Sequence, residues 1–514
     1  MGNSRTKNSV LIIGSQGIRR IVTLLLNFIN RTIFIQVLGA EYLGLNGLFT
    51  NILSILALSE LGIGSAMSFY LYRPVADNDT ERIKSLMQFY KQCYRFVGLA
   101  IIGIGVCLMP VLQFIVNLEN DLPINIYLVY MLNVFSSAST YLFFAYKQAL
   151  IIANQQQYKV ESVRMIFSIV DSLMCFVVLV LSREYVAYLL TKIVVSLCSN
   201  VAVAIKVDQQ YPFIKEKNYT KIKSSEWKSF FKDVGSVSVF RLGSTLFNSI
   251  DNIVISSLLG TAIVGYYSNY SMLTVQIKGL LFMITSSIAA GIGNVIVQET
   301  KEKQYEIYKQ LDFYVFTIAA FCSVCLFQLL NSFIKLWVGR LGAQYVLSQS
   351  VVALIVINFY LECTSQVMNA FREGSGHFEI CRNEQLIGGI LNLVFSIVLG
   401  KYFGIEGIFA ATVMIRFLVN RVPFLTGISQ KVFGLPKYTL LLTYFTNLVK
   451  VKIVAGITWI VCRRFHMTTL LGFIVECVLC VVSVCAILVI FYFRTPEFKS
   501  AVLRFKQLLG KRGQ

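Results

Sequence analysis

Residues 27–34 read NFINRTIF and set Arg31, a permanent positive charge, inside an apolar run from about Val10 to Leu38. An arginine at the centre of a membrane helix costs about 2.5 to 3.5 kcal/mol on insertion scales, so it normally faces water or a polar partner. We therefore expect a membrane helix with one side turned away from lipid. The arginine could instead extend to the outer headgroups, and the sequence leaves both interpretations open.

The composition of the chain is typical of a membrane protein. Of its 514 residues, 56% are hydrophobic and 14% are charged, with a mean hydropathy of +0.68. Soluble domains carry about 25% charged residues. Apolar stretches of roughly 20 residues, the length of a helix that crosses a bilayer, occur about fourteen times and lack the alternation of β-strands. These predicted spans lie near residues 10–37, 43–71, 94–116, 124–147, 163–182, 185–206, 231–259, 263–290, 312–338, 346–371, 385–403, 405–427, 438–462 and 469–493.

Lysine and arginine concentrate in alternate connections between the predicted spans. The connection after the second span and the segment 207–230 are basic, whereas the predicted outer loops AEYLG, NLENDLP and GTAIVG contain no lysine or arginine. Short basic connections mark the cytoplasmic side. With an even number of spans, both termini are predicted to be cytoplasmic, and the basic tail 494–514 agrees. Arg463 and Arg464, in the last predicted outer loop, do not fit this orientation.

The composition also argues against several classes of partner and cofactor. The net charge of +20 needs no nucleic acid, because inside-positive loops beside an anionic membrane surface explain it. The twelve cysteines lie mostly within spans and are interpreted as small apolar residues. With only His377 and His466, the sequence predicts no metal site. No glycine-rich phosphate loop occurs, so neither ATP hydrolysis nor a cofactor is expected.

An internal repeat relates the first and seventh spans. A shift of 221 residues, which takes Gly39 to Gly260, aligns polar positions as well as apolar ones. Asn30 falls on Asp251 and Arg31 on Asn252, where lipid-facing positions would be apolar. The identical pairs are Gly14 with Gly235, Arg20 with Arg241, Asn27 with Asn248, Leu38 with Leu259, and Gly44 with Gly265.

The repeat predicts the organisation of the chain. Both copies run from the inside to the outside, so the repeat is parallel, and two pseudo-symmetric six-helix lobes are expected to hold substrate where they meet. The predicted parts are an N-lobe at 1–206, a basic linker at 207–230, a C-lobe at 231–427, an appended helix pair at 438–493 and a cytoplasmic tail at 494–514.

Three stretches carry a resemblance to a known family. They are RTIFIQVLGAEYLGLNGLFTNILSILALSELGIGSAMSFYLYRPVA at 31–76, KSLMQFYKQCYRFVG at 84–98 and SIDNIVISSLLGTAIVGYYSNYSML at 249–273. The chain resembles bacterial flippases that translocate lipid-linked O-antigen, capsule or exopolysaccharide repeat units, within the multidrug/oligosaccharidyl-lipid/polysaccharide exporter superfamily. The resemblance implies two helical lobes in a V around a central cavity, in the bacterial cytoplasmic membrane. It also implies an undecaprenyl pyrophosphate-linked substrate, membrane lipids as surroundings and a polysaccharide polymerase complex as a possible partner.

Cations on the predicted spans suit such a substrate. In the first span Arg20, Asn27 and Arg31 fall at i, i+7 and i+11, which is one helical face. Arginine offers paired donors to phosphate oxygens and lysine offers a compact charge. The predicted pyrophosphate-binding residues are Arg20, Asn27, Arg31, Arg241, Asn248 and Lys278.

Acidic residues near the spans are candidates for ion coupling. Asp251, Glu60 and Glu362 could each bind H⁺ or Na⁺, or could close a structural hydrogen-bond network. Glu60 lies about as deep as Arg20, counting about 1.5 Å per residue, so these two could simply neutralise each other.

Other functions stay open beside the flippase that the resemblance implies. A lipid II flippase would need the same fold and a similar cationic cavity. A drug or cation antiporter is expected to present acids, whereas the polar face here is mostly basic. A membrane glycosyltransferase or polymerase would need acid-bearing outer loops, and those predicted here are short. We therefore expect a transporter rather than an enzyme.

Overall fold

The computed structural model of the chain is all-helical over the part that it describes. No β-strand occurs there, because long apolar segments in lipid satisfy their backbone hydrogen bonds within a helix. The described residues are 22–57, 63–118, 122–143, 145–154, 156–216, 224–377, 379–463 and 469–510.

The chain divides into two compact units, Met1–Gly265 and Tyr266–Gln514. In the first unit, α7 packs against α8, α4 against α5 and α2 against α9. The predicted linker and lobe boundaries stay a prediction, although α9 begins within the segment assigned to the linker. The helices up to the boundary are α1 Val22–Leu38, α2 Ala40–Leu56, α3 Ile63–Ala76, α4 Thr80–Leu108, α5 Ile126–Phe143, α6 Ala145–Ala153, α7 Gln157–Ser182, α8 Tyr185–Gln210 and α9 Ser224–Leu259.

The second unit is built around one long central helix, α11. This helix packs against α12, α16 and α17, and α12 also packs against α14. The helix α10 spans the boundary between the two units. The remaining helices are α10 Thr261–Gln298, α11 Lys301–Trp337, α12 Gln349–Cys363, α13 Gln366–Gly374, α14 Arg382–Ile415, α15 Val422–Gly427, α16 Thr439–Cys462, α17 Leu470–Tyr492 and α18 Pro496–Gly510.

Several helices begin where the sequence supplies an oxygen-bearing cap. The side chains of Asp79, Thr300, Ser348 and Thr469 each accept a hydrogen bond from the backbone N–H three residues later. These caps satisfy one of the N–H groups that a helix start leaves without an internal partner. They fix the first turns of α4, α11, α12 and α17.

The length and composition of the helices confirm a membrane protein. Eight helical segments of the described part are long and apolar enough to cross a bilayer, or nine if a bent pair at α5 and α6 counts as one span. The predicted number of about fourteen spans stays a prediction. Gly404 has a φ of 61° and interrupts α14 between the predicted spans 385–403 and 405–427.

Each copy of the repeat is followed by a glycine with a positive φ. Gly39 has a φ of 89° and separates α1 from α2, and Gly260 has a φ of 110° and separates α9 from α10. The amide of Gly39 donates to the carbonyl of Ile35 at 3.0 Å, and that of Gly260 donates to Ser256 at 3.2 Å. Positive φ favours glycine, so these two positions mark equivalent turns 221 residues apart.

The two turns also place repeat-related backbones in direct contact. A Cβ atom on Gly44 would lie 1.9 Å from the carbonyl oxygen of Thr261, and one on Gly265 would lie 2.1 Å from that of Ala40. Gly44 and Gly265 are equivalent in the 221-residue register, as are Ala40 and Thr261. The contact is therefore reciprocal, and it needs glycine at both positions.

Candidate functional site

In each unit, one group of charged side chains within the apolar helices includes residues that the sequence predicted for the site. The first cluster consists of Arg31, Asp171, Tyr188 and Lys192, from α1, α7 and α8. The second cluster consists of Lys278, Glu362 and Arg416, from α10, α12 and the segment after α14. Each cluster has two cations and one acid, so each has a formal charge of +1.

Hydrogen bonds between α1 and α7 position the first cluster. Asn30 Nδ2 donates to Ser172 Oγ at 2.8 Å, and the hydroxyls of Thr23 and Ser168 lie 3.5 Å apart. Thr23 and Asn30 are seven residues apart, so both lie on the face of α1 that meets α7. Arg31 is adjacent to this face and is half-buried.

Aromatic rings form the rest of the first cluster. Lys192 Nζ lies 5.1 Å from the centroid of the Tyr188 ring, which suits a cation–π contact. Arg31 also interacts electrostatically with Tyr188, and Lys192 interacts with Asp171. Phe34 packs on Tyr188 with a centroid separation of 5.0 Å. The cluster thus holds two cations beside an apolar aromatic wall.

The second cluster is a three-membered ion network. Lys278 Nζ lies 2.5 Å from Glu362 Oε2, and Arg416 Nη2 lies 3.0 Å from Glu362 Oε1. The side chain of Glu362 is 13% exposed. Both carboxylate oxygens therefore accept from cations, which holds the charged groups together in a largely apolar environment.

A π-helical segment carries Arg416, the residue that contacts Glu362. Residues Arg416–Arg421 form a π-helix, in which each amide reaches back five residues. Pro423 follows two residues later and has no N–H to donate to the preceding turn. Arg421, at the other end of the π-segment, donates to the carbonyl of Leu361 and to Thr364 Oγ1 at the end of α12. Both arginines thus meet the C-terminal end of α12.

A cavity of about 200 Å³ lies beside Arg421 in the second unit. The walls come mainly from α11 and α16, and α13, α15, α17 and α18 also contribute. Arg421 is 3% exposed, and its guanidinium stacks over the Tyr444 ring at 4.7 Å from the centroid. Asp312 also lines the cavity and interacts with both Arg421 and Tyr308.

The structure brings together some of the residues predicted from sequence. Arg31 lies in the first cluster, and Lys278 and Glu362 lie in the second. Asp251 is buried, with 7% of its surface exposed, whereas Asn27 and Asn248 are exposed. Three predicted positions lie outside the described part, namely Arg20, Glu60 and the side chain of Arg241.

Sequence reasoning missed several charged residues of these sites. Asp171, Lys192, Arg416 and Arg421 all fall within predicted spans, so the rule that singled out Arg31 applies to each of them. A charge within an apolar span marks each of these residues in the sequence, but the residues that they contact are distant in sequence. Within the described residues, no group of three or more histidine, cysteine or carboxylate side chains could hold a metal ion.

Comparison by sequence identifies one family. The family model described as polysaccharide biosynthesis protein matches residues 6–289, which is more than half of the chain. No curated protein sequence matches the chain.

Comparison by structure finds transporters with the same fold. The lipid II flippase MurJ in an inward closed conformation matches with a TM-score of 0.69 at 14% identity, over 94% of this chain and 99% of that chain. An inward-facing multidrug resistance MATE family transporter of the MOP superfamily matches with a TM-score of 0.61 at 15% identity, over 81% and 97%. A MATE transporter of Vibrio cholerae matches with a TM-score of 0.57 at 13% identity, over 84% and 99%. At such low identities the likeness establishes the fold.

Proposed function

The chain belongs to the polysaccharide biosynthesis protein family, and from that premise we propose that it is a flippase for a polyprenyl-pyrophosphate-linked oligosaccharide. The substrate would be an O-antigen, capsule or exopolysaccharide repeat unit, carried from the cytoplasmic to the outer leaflet by alternating access. The protein is a multi-pass membrane protein. We place it in the bacterial cytoplasmic membrane with both termini inside.

The observation that carries this proposal is the pair of cationic clusters within apolar helices. A diphosphate or a sugar hydroxyl cannot cross hydrocarbon unaided, because each unpaired polar group costs several kcal/mol there. The polyprenyl tail meets no such barrier. Cations held inside the protein lower the barrier for the diphosphate, while the tail stays in the membrane. No bond is made or broken, so we propose a transporter and not an enzyme.

The second cluster has donors already arranged for an anion. Lys278 and Arg416 donate to the two oxygens of one carboxylate. A phosphate group also presents oxygens that accept from lysine and arginine, so it can replace the carboxylate of Glu362. In this proposal Glu362 neutralises part of the site when substrate is absent, and the diphosphate takes its place during transport.

The proposal includes a possible coupling ion and a possible partner. Asp251 is a candidate site for H⁺ or Na⁺, because it is a buried acid on the repeat helix α9. No cofactor is needed for transport of this kind. A polysaccharide polymerase complex on the outer side of the membrane would receive the product.

Lipid II is a second candidate substrate. The lipid II flippase shares the fold of this chain over nearly its whole length, and its substrate is also lipid-linked. A cationic site for a diphosphate would serve either molecule. Identifying the lipid-linked species whose export depends on the protein distinguishes the two substrates.

The deciding experiment measures lipid-linked glycans in a strain that lacks the protein. We expect carrier-bound oligosaccharide to accumulate on the cytoplasmic leaflet, and wild-type protein to restore export. Accumulation of lipid II instead would identify lipid II as the substrate. No accumulation of any lipid-linked glycan would refute a flippase function.

Variants of the two clusters then test the role of the cations. Arg31→Ala combined with Lys278→Ala is expected to leave the protein inserted but to reduce export at least tenfold, the effect of about 1.4 kcal/mol. Lys401→Ala removes an exposed cation of α14 and is the matched control, with export unchanged. Full export by the double variant would show that transport does not require these cations.

A further inference from the structure

The cavity beside Arg421 lies in the second unit, near the start of α11 and the end of α17. The lining residues come from the first turns of α11, the first half of α16 and the last turn of α17, and also from α13, α15, α18, the π-helical segment and the residues that follow α12 and α17. A volume of about 200 Å³ accommodates several water molecules or a phosphate group, since a water molecule occupies about 30 Å³ in the liquid. The cavity is therefore large enough for a small polar ligand or a lipid headgroup.

Two lysines of this cavity lie beside aromatic rings and form no ion pair within the described residues. Lys309 Nζ lies 5.0 Å from the centroid of the Tyr305 ring, and Lys450 Nζ lies 4.6 Å from that of Tyr492. Glu306 interacts electrostatically with Lys309, but its ion pair is with Lys303, at 2.9 Å. Each lysine therefore retains N–H donors that an incoming anion can use.

The acids of the cavity do not cancel its positive charge. Asp312 interacts with Arg421, which is fixed by α12, and Glu497 is the other acid of the lining. Three cations against two acids leave a formal charge of +1. The charge that remains is contributed by the two lysines, which lie beside Tyr305 near the start of α11 and beside Tyr492 at the end of α17.

An apolar surface lies next to the cavity on α16. Leu442, Phe445 and Val449 are exposed, at 65%, 44% and 56% of their surfaces. They fall at i, i+3 and i+7, which is one helical face. Lys450 follows directly after Val449, and its ammonium lies beside Tyr492 at the end of α17, so a cationic group and an apolar face are adjacent.

We propose that this cavity binds the headgroup of an anionic phospholipid, with Lys309 and Lys450 contacting the phosphate and the acyl chains lying along Leu442, Phe445 and Val449. Basic pockets between membrane helices bind anionic headgroups in this way. The combination of cations and an adjacent apolar face favours an amphiphile over a free anion. The site does not depend on the transported substrate, because neither cationic cluster contributes a residue to it.

Native mass spectrometry of the full-length protein in detergent tests the proposal. Wild-type protein is expected to retain phosphatidylglycerol in preference to phosphatidylcholine, which carries no net charge. Each of the variants Lys309→Gln and Lys450→Gln is expected to lower that preference about fivefold, the contribution of one basic residue near an anionic membrane surface. The double variant is expected to lose the preference.

The matched control is Lys452→Gln, which removes an exposed charge of α16 that does not line the cavity. This variant is expected to keep the preference for phosphatidylglycerol. An unchanged preference in the double variant would overturn the proposal. Displacement of phosphatidylglycerol by millimolar inorganic phosphate would also overturn it, because the ligand would then be a free anion. These outcomes are independent of glycan export, so they do not test the proposed flippase function.

Discussion

At the scale of single residues, the charges of the two clusters are of mixed sign. Glu362 is the clearest case, since it accepts from Lys278 and Arg416 with separate oxygens. A lone carboxylate in hydrocarbon would be costly, and so would two adjacent cations. The acid and the two cations thus offset the cost of burying one another, and together they leave one positive charge for a ligand.

The variant Glu362→Gln tests this interdependence. It keeps the size of the side chain but leaves Lys278 and Arg416 without an acid. Because Lys278 is partly exposed, we expect the free energy of unfolding to fall by about 1 to 3 kcal/mol, which is less than for a fully buried ion pair. The expected result is a lower Tm for the purified protein in detergent. Adding Lys278→Met should recover part of the loss, with a coupling of about 0.5 to 3 kcal/mol.

Glu406→Gln is the matched control for this measurement. Glu406 accepts hydrogen bonds from Ser348 and Ser350, and a glutamine oxygen can accept the same bonds. We therefore expect a smaller change in Tm. Equal losses from Glu362→Gln and Glu406→Gln would show that the ion network contributes no stability of its own.

At the scale of helices, the close contact between α2 and the α9–α10 turn depends on glycine. The Cβ atom of an alanine at position 44 would lie 1.9 Å from the carbonyl oxygen of Thr261. Helix backbones approach this closely only where no side chain intervenes. Gly47, one turn later on α2, is different, because its Cβ would lie 3.6 Å from Val264 Cγ1 in ordinary contact.

Alanine substitutions at these two glycines are expected to have different effects. Gly44→Ala forces the two backbones apart and should lower the Tm. Gly47→Ala adds a residue that favours helix by up to about 1 kcal/mol over glycine, and it should leave the Tm unchanged or raise it. The measurement is thermal unfolding of both variants in the same detergent. A Tm for Gly44→Ala at or above that of wild type would contradict the observed contact.

At the scale of the whole molecule, the internal repeat is the feature that sequence and structure share. Its register predicted that Gly39 and Gly260 are equivalent, and both have positive φ between two helices. That part was predictable because a glycine turn depends on local backbone geometry. The reciprocal contact of Gly44 with Thr261 and of Gly265 with Ala40 was not predictable, because it depends on how α2 meets the later turn.

The sequence by itself determined a helical membrane protein, its family and the equivalence of the two repeats, because hydropathy, motifs and turn glycines act over short stretches of chain. Only the tertiary structure decided which charges meet. Glu362 is 84 residues from Lys278, and Ser172 is 142 residues from Asn30. The periodicity of a helix shows which of its own residues share a face, but the partner across from that face is set by helix packing.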